Sequence, residues 1–173
     1  PGATHASVGV HIARQDSTPM ILLVGQVARD MRGKEAFQEV DYKAFFGPLA
    51  KWVEEVDDAR RLPEIMARAF RTAMSGRPGP VVLSLPEDML TDVVEVADAA
   101  PAVAVQPGPG PEDLQAVETV LASAQRPIAI IGGNWSDRDA TILTHWAEGL
   151  NLPTVSSFRR QDTVANDSPV YCG

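Results

Sequence analysis

The sequence predicts an α/β fold built from strand–helix–strand units with parallel sheets. Three short runs, at residues 20–24, 81–85 and 127–131, are almost continuously apolar and are separated by longer amphipathic stretches. Such runs are typical of strands that are covered on both faces, as in a parallel sheet. Strand, helix and strand in this order indicate βαβ units with right-handed crossovers, the arrangement of Rossmann-like folds.

The first long helix is predicted to begin at Pro63, because the first helical turn does not need the N–H that proline lacks. Apolar side chains then recur on one helical face; they are Ile65, Met66, Ala69, Phe70 and Ala73. Ser75-Gly76 supplies the helix stop, and the apolar run at residues 81–85 follows.

Two further helices are predicted in the second half of the chain. One begins near Pro111, where Glu112 and Asp113 suit the positive end of the helix dipole. Its expected buried stripe is Leu114, Val117 and Leu121. The other runs from about Asp137 to Gly149, and the residues expected on its inner side are Ala140, Leu143, Ala147 and Leu150. A short extended segment at residues 154–156 follows.

The stretch from residue 99 to 111 interrupts this rhythm, because it is composed of alanine, proline, glycine and little else. It is predicted to be a semi-rigid extended linker. The chain is therefore divided into residues 1–96, a linker at 97–110, and residues 111–173. The start at Pro1 and the short second region lead us to expect a portion of a larger protein.

Composition narrows the class of protein. The chain has 173 residues, 45% of them apolar, and a formal net charge of -8. An acidic protein does not attract phosphate backbones, so we expect no nucleic-acid partner. The sequence has no apolar run long enough to span a bilayer and no signal peptide. The single cysteine, Cys172, permits no internal disulfide and favours a reducing, cytoplasmic location.

Two glycine turns are candidates for ligand contact. Residues 1–5, Pro-Gly-Ala-Thr-His, can turn a strand into a helix and bring backbone N–H groups to a surface. Many α/β proteins begin a helix in this way for packing alone. Gly25-Gln26 follows an apolar run, at the end of a parallel strand where ligands bind. The sequence is equally consistent with a simple turn at Gly25 that leaves Gln26 exposed.

Two other segments carry polar or aromatic side chains in loops. Phe37 and Gln38 can line the mouth of a pocket; alternatively Phe37 anchors a surface loop, or Glu35 and Glu39 form the solvated face of a helix. In residues 75–83 two prolines and two glycines present Arg77, which can bind a phosphate or carboxylate. The alternative is a pair with a neighbouring Asp or Glu.

The last motif, Gly132-Gly133-Asn134, lies between a strand and a helix and resembles half of a dinucleotide-binding turn. Asn134 occupies the position where the full pattern needs its second glycine. Alone, the motif is weak support for nucleotide binding.

Read in chain order, the motifs resemble the acetolactate-synthase-like family of thiamine-diphosphate-dependent enzymes. That family has Gly-Pro-Gly-Ala-Thr-Asn, Ser-Gly-Gln-Val, Ala-Phe-Gln-Glu, a Lys after a proline, Ser-Gly-Arg-Pro-Gly-Pro-Val and Leu-Pro-Xaa-Asp. The matching segments here are residues 1–5, 24–27, 36–39, 48–51, 75–82 and 85–88. The match covers nearly the whole chain and weakens after the linker.

The resemblance implies that residues 1–96 are the later part of a pyrimidine-binding domain and residues 111–173 the start of a middle domain. It implies thiamine diphosphate contacts at Pro1, Gly2, His5 and Gln38, and a substrate pocket at Phe37 and Gln38. It also implies that Arg77 contacts flavin in members that keep FAD, and that the turn of Gly132, Gly133 and Asn134 can hold FAD or another ADP-containing ligand.

The resemblance further implies decarboxylation or carboligation of a 2-keto acid or related acyl donor through a cofactor ylide, in a homodimer or tetramer whose active site lies between subunits. His5 replaces the usual Asn of the family, which favours a substrate other than that of a strict acetolactate synthase. The catalytic glutamate of the family is expected upstream, and the segment that holds Mg²⁺ and the diphosphate downstream. We therefore expect no catalytic residue and no metal site here, and an inactive isolated fragment.

Two other readings remain open from the sequence. One is a plain nucleotide-binding or NAD-dependent domain, although its full glycine fingerprint is absent. The other is a non-catalytic interaction domain that has kept the α/β fold.

Overall fold

The computed structural model describes residues 2–105, 107–133 and 135–173, and it is an α/β protein with parallel sheets. The helices are α1 (Gly2–His5), α2 (Ser7–Gln15), α3 (Tyr42–Phe46), α4 (Leu62–Met74), α5 (Pro111–Ser123) and α6 (Asp137–Gly149). The strands are β1 (Met20–Gln26), β2 (Trp52–Glu55), β3 (Pro80–Pro86), β4 (Ala129–Ile131) and β5 (Thr154–Ser156).

The chain forms two compact units, one ending at Pro107 and the other spanning Gly108–Gly173. The division falls inside the predicted linker, and within residues 92–105 and 107–110 there is no helix or strand. None of the helices in the described ranges is long and apolar enough to cross a membrane.

The first unit is organised around β3, the central strand of a parallel sheet with the order β1-β3-β2. Successive side chains of a strand point to opposite faces. Val81 and Leu83 accordingly join the core on the α4 side, while Val82 joins the core formed with α2 and α3. All three side chains are fully buried, which confirms that this run is a strand covered on both faces.

Helix α4 begins and ends as predicted, with Pro63 in its first turn and Gly76 at a φ of 62° just beyond its end. Ile65, Ala69 and Ala73 are buried at four-residue intervals. Phe70 was expected on this face, but it is 48% exposed, because it lies about 100° around the helix from Ala69.

Two elements of the first unit, β2 and α3, were not predicted. Strand β2 has only four residues, and two of them are glutamates that give it no apolar run. Helix α3 is a short helix whose first turn is capped by Asp41, which accepts a hydrogen bond from the Ala44 N–H at 2.9 Å.

The second unit has a parallel pair, β4 and β5, in which Ala129 lies opposite Thr154. Helices α5 and α6 begin where predicted, but the expected burial is wrong in several places. Leu114 and Val117 of α5 and Leu150 after α6 are more than half exposed, and Ile130 of β4 is 73% exposed. A two-stranded sheet offers little surface to cover them, and the core cluster of this unit centres on Ala147, Leu152 and Val170.

Candidate functional site

Polar side chains from all three strands of the first sheet meet at the carboxyl edge of that sheet. Gln26 ends β1, Glu55 ends β2, and Ser84 lies near the end of β3. In open parallel sheets this edge is where ligands bind. Gln26 and Ser84 are nevertheless only 7% and 1% exposed, so their side chains bond to other groups of the protein.

Gln26 connects the sheet to the loop of residues 27–41 that follows β1. Its Nε2 donates to the Val40 carbonyl at 2.8 Å and to Glu55 Oε2 at 3.2 Å. Its Oε1 accepts from the Val27 N–H at 3.0 Å. The alternative of an exposed glutamine at a simple glycine turn is therefore wrong.

Glu55 is the centre of this polar group, although it belongs to no motif that the sequence predicts to be functional. Oε2 also accepts from the Ser84 hydroxyl at 3.2 Å, and Oε1 pairs with Nη1 of Arg32 in the loop. Arg32 Nη2 is 2.9 Å from Asp57 Oδ1. The only sequence signal was a carboxylate at the end of a very short extended segment.

Arg29 attaches the start of the same loop to the chain after β3. Its Nε donates to Asp88 at 2.7 Å, its Nη1 and Nη2 donate to Asp92 at 2.9 and 3.1 Å, and its Nη1 also reaches the Asp57 carbonyl. The hydrogen bonds that Arg29 donates to Asp92 and Asp88 raise its pKa. In return, the hydrogen bond from Arg29 lowers the pKa of Asp88.

The tip of the loop presents Phe37 and Gln38, which are both exposed; the Phe37 side chain is 89% exposed. Gln38 has a φ of 73° and Glu35 a φ of 56°, values that non-glycine residues seldom adopt. Glu39 stabilises this shape by accepting from the N–H groups of Gly33 at 2.5 Å and Ala36 at 3.1 Å. Those bonds, the one from Gly33 foremost, lower the pKa of Glu39.

This geometry decides between the earlier alternatives for the loop. Glu35 and Glu39 do not form a solvated helical face, because both lie in the loop. Phe37 does not anchor the loop, since its ring is exposed to solvent. Polar contacts on either side of the tip hold the loop instead.

The turn at residues 2–5 and this loop contact one core cluster on the face of the sheet that α2 and α3 cover. Gly2 and His5 are exposed residues of α1, and Pro1 lies outside the described residues. Helix α2 follows and runs back to the amino end of β1. Ala3 and Val40 contact the same core cluster. The turn and the loop therefore belong to one region of the molecule.

A cleft of about 380 Å³ opens between the loop and the sheet edge. Gln26, Arg32, Glu39, Tyr42 and Glu55 are among its lining residues. Burial raises the pKa of Tyr42. No three His, Cys, Asp or Glu side chains gather to hold a metal ion, in this cleft or elsewhere among the described residues.

Arg77 lies at the opposite, amino edge of the sheet, because its loop precedes β3. Its Nε donates to the Ser17 hydroxyl at 2.8 Å, and its Nη2 donates to the carbonyls of Arg14 and Gln15 at 3.2 and 3.1 Å. Arg77 thus caps the carboxyl end of α2. The alternative of a pair with Asp or Glu is not formed within the described ranges.

Lys51 caps the carboxyl end of α4. Its Nζ donates to the Thr72 carbonyl at 2.5 Å and to the Ser75 carbonyl at 2.7 Å. Burial lowers the pKa of this amine. The proline-rich loop after α4 therefore lies between two capped helix ends.

In the second unit the glycine turn is stabilised by its own neighbours. Gly133 has a φ of 84°. A Cβ at Gly132 would lie 3.2 Å from the Ser157 hydroxyl, and Trp135 Nε1 donates to the Gly132 carbonyl at 2.8 Å. Local packing thus accounts for Gly132. Asn134 lies outside the described residues.

Comparison with known proteins links the chain to one group of enzymes. Residues 1–45 match the family described as "Thiamine pyrophosphate enzyme, N-terminal TPP binding domain". The large subunit of acetolactate synthase isozyme 1 from Escherichia coli is 35% identical over 176 residues, which cover 100% of this chain. A probable acetolactate synthase large subunit from Methanococcus aeolicus is 32% identical over 181 residues, again with 100% of this chain covered.

A solved structure agrees with these relatives. Benzoylformate decarboxylase from Polynucleobacter necessarius superposes with a TM-score of 0.87 over 99% of this chain at 29% identity. The chain spans 31% and 30% of the two acetolactate synthase relatives and 33% of the decarboxylase chain.

Proposed function

Because the chain belongs to the acetolactate-synthase-like family of thiamine-diphosphate-dependent enzymes, we propose that it forms part of an enzyme that acts on a 2-keto acid or related acyl donor. The reaction is decarboxylation or carboligation. The observation that carries this proposal is the loop tip with exposed Phe37 and Gln38, whose loop contacts the same core cluster as the turn of Gly2 and His5.

The chemistry of the loop tip and of the turn supports contact with the aminopyrimidine end of the cofactor. A flat, polar ring needs hydrogen-bond donors and acceptors together with an apolar surface, and the Gln38 amide and the Phe37 ring offer both. Gly2 leaves open space where a side chain would stand, since no atom lies within 4 Å of a Cβ built there. His5 adds a group that both donates and accepts.

Thiamine diphosphate supplies the nucleophilic carbon and the electron sink for cleavage beside a keto group. The residues of this chain orient the substrate and the cofactor ring and shield them from water. Gln38 orients the substrate through its amide, the Phe37 ring excludes water from one side, and His5 sets the orientation of the ring or substrate.

We further propose that Mg²⁺ and the diphosphate are bound by other parts of the protein. The described residues contain no cluster of metal ligands, and such a cofactor owes much of its affinity to carboxylates and Mg²⁺. We also propose that the isolated chain is inactive, and that the active site lies between the subunits of a homodimer or tetramer in the cytoplasm. Calorimetry with Mg²⁺ and thiamine diphosphate tests this, and micromolar binding by the chain alone would contradict it.

An ADP-containing ligand such as FAD is the remaining cofactor proposal. Gly133 supports it, because a Cβ built there would meet no atom within 4 Å, and so does the buried Ser156 hydroxyl, which has no hydrogen-bond partner within the described ranges. Arg77 would have to give up its contacts with α2 to bind flavin. The direct measurement is absorbance near 450 nm that stays with the intact protein after unbound FAD has been removed by gel filtration.

The decisive experiment for the main proposal is Gln38→Ala in the intact natural protein, with 2-keto acids as substrates. We expect turnover to fall by about one to two orders of magnitude, since orientation of reactants makes a large contribution to catalysis. Gln125→Ala, at another exposed glutamine, is the matched control. Unchanged kinetics for Gln38→Ala would refute its role, whereas an intact natural protein that turns over no 2-keto acid would favour a non-catalytic nucleotide-binding or interaction domain.

A further inference from the structure

The strained tip of the 27–41 loop needs something to hold it in place, and Glu55 is the residue best placed to do so. Glu35 and Gln38 have positive φ values, of 56° and 73°, which residues with a Cβ seldom adopt. Conformations of this kind persist only where the surrounding structure enforces them, and they concentrate at functional sites. The ring of Phe37 contributes nothing to this enforcement, because it is 89% exposed.

The contacts that stabilise the conformation of the loop tip involve one carboxylate, that of Glu55. Glu55 Oε2 accepts from Gln26 Nε2 and from the Ser84 hydroxyl, each at 3.2 Å, and Oε1 pairs with Arg32. The Glu55 side chain is only 16% exposed. A carboxylate so well enclosed is expected to have its oxygens fully occupied by partners, and here both are engaged.

Two of these partners lead directly to the loop, one on each side of the tip. Arg32 is itself a loop residue and precedes Gly33. Gln26, held by Glu55, donates to the carbonyl of Val40 at 2.8 Å, immediately after Glu39. The segment between Arg32 and Val40 is therefore fastened at both ends to Glu55, and Glu39 closes it by accepting from Gly33 and Ala36.

We propose that Glu55 is a positioning residue, which acts through Arg32 and Gln26 to hold the loop tip in the conformation that presents Gln38 to the substrate. Glu55 is not itself a catalytic residue, since both of its carboxylate oxygens are bonded to protein groups. The inference rests on the proposed function, because only there does Gln38 contact substrate.

The first test is local order, and it does not depend on activity. In the intact natural protein, Glu55→Gln keeps the shape of the side chain but removes the charge that pairs with Arg32. Hydrogen exchange at the Gly33 and Ala36 amides should accelerate at least about tenfold, because a hydrogen bond to a charged group is worth about that factor or more. Exchange within β3 should change far less.

Two further variants keep this test informative. Lys51→Met removes a helix cap at the other edge of the sheet, so it lowers the melting temperature without accelerating exchange at Gly33. If Glu55→Gln does not fold, Arg32→Met removes the same ion pair from the loop side and should accelerate exchange in the same way. Unchanged exchange in a folded Glu55 or Arg32 variant overturns the proposal.

The second test is kinetic coupling between Glu55 and Gln38. If Glu55 acts only by placing Gln38, Glu55→Gln lowers kcat/KM in the natural background but has little further effect in a Gln38→Ala background. Independent, multiplying losses would mean a general structural role and overturn the positioning role. If exchange accelerates while neither Gln38→Ala nor Glu55→Gln alters activity, the loop attachment stands and the proposed function of Gln38 is what fails.

Discussion

The two edges of the first sheet use charged side chains for different purposes. At the carboxyl edge, Arg29, Arg32 and Glu55 hold an irregular loop whose tip is exposed. At the amino edge, Lys51 and Arg77 donate to carbonyls at the ends of α4 and α2. The first arrangement holds side chains at an exposed loop tip, and the second completes the hydrogen bonding of regular elements.

This difference shows how a charged residue in a motif should be interpreted. A helix end leaves carbonyl groups without partners, so a cation there is accounted for by the fold. An irregular loop has no fixed set of unpaired carbonyl groups, so the fold alone does not account for a charged residue there. Substitutions at the amino edge should therefore change global stability, whereas those at the carboxyl edge should change local order and activity.

The largest expected effect comes from the strand that the two edges share. Leu83→Ala removes a fully buried side chain from the centre of β3, and we expect the free energy of unfolding to fall by about 2–5 kcal/mol. Urea denaturation measures this loss. Both edges should lose protection from hydrogen exchange together, because they belong to one sheet.

Leu23→Ala is the matched control for this prediction. Leu23 pairs with Leu83 in the register of β1 and β3, but its side chain is 52% exposed. We expect it to cost less than about 1 kcal/mol, because much less apolar surface leaves the core. Equal losses for the two leucines would mean that the face bearing Leu23 is covered in solution.

Lys51→Met tests the amino edge alone. It retains the apolar stem and removes the two hydrogen bonds to the Thr72 and Ser75 carbonyls, so we expect a loss of about 1–2 kcal/mol in the free energy of unfolding. Lys43→Met, which breaks an exposed pair with Glu54, should cost no more than about 0.5 kcal/mol. A loss for Lys51→Met as small as that would mean that the cap is not formed.

A smaller effect is expected for Gly79→Ala. A Cβ at this position would lie 3.1 and 3.2 Å from the side-chain carbons of Lys51, which would have to move away from the helix end. We expect a cost of about 0.5–1 kcal/mol. In a Lys51→Ala background the same change should cost almost nothing, and thermal unfolding of the four variants in this cycle measures the difference.

The difference between regular elements and irregular loops also explains how much of the structure could be predicted from the sequence. The α/β class, strand β3 and helices α4 and α6 follow from local patterns, since an apolar run or a four-residue period is visible without knowledge of the fold. Arg77 stood out for a similar reason, because it lies in a conspicuous motif. What the motif could not reveal is that the end of α2, about 60 residues earlier, supplies its partners.

Glu55 and Arg32 are separated by 23 positions in the sequence and lie in no recognised pattern. Their pairing depends on the order of strands in the sheet, which places the ends of β1, β2 and β3 together. The exposed apolar face of α5 was missed for a related reason. Helical periodicity identifies an apolar face, but only tertiary structure decides whether anything covers it.

The smallest expected effect is a response to acid that is confined to the carboxyl edge. The pKa of Glu39 is lowered by hydrogen bonds from the backbone, first that of Gly33. A carboxylate with a lowered pKa in the folded state stabilises its surroundings fully above its ordinary pKa of about 4.3, and this contribution is lost as the pH falls through the lower, folded-state value. Lys51 remains protonated throughout that range, so the amino edge should not respond.

Amide chemical shifts measured by NMR between pH 6 and pH 2 test this response. The Gly33 and Ala36 signals should titrate with a midpoint below the ordinary value for glutamate, while the Thr72 and Ser75 signals near Lys51 should stay constant. In Glu39→Gln the titration of Gly33 should disappear, because the amide side chain carries no charge to lose. A midpoint at or above the ordinary value would mean that the bonds to Glu39 are not formed, and the loop tip would then depend on Arg32 and Gln26 alone.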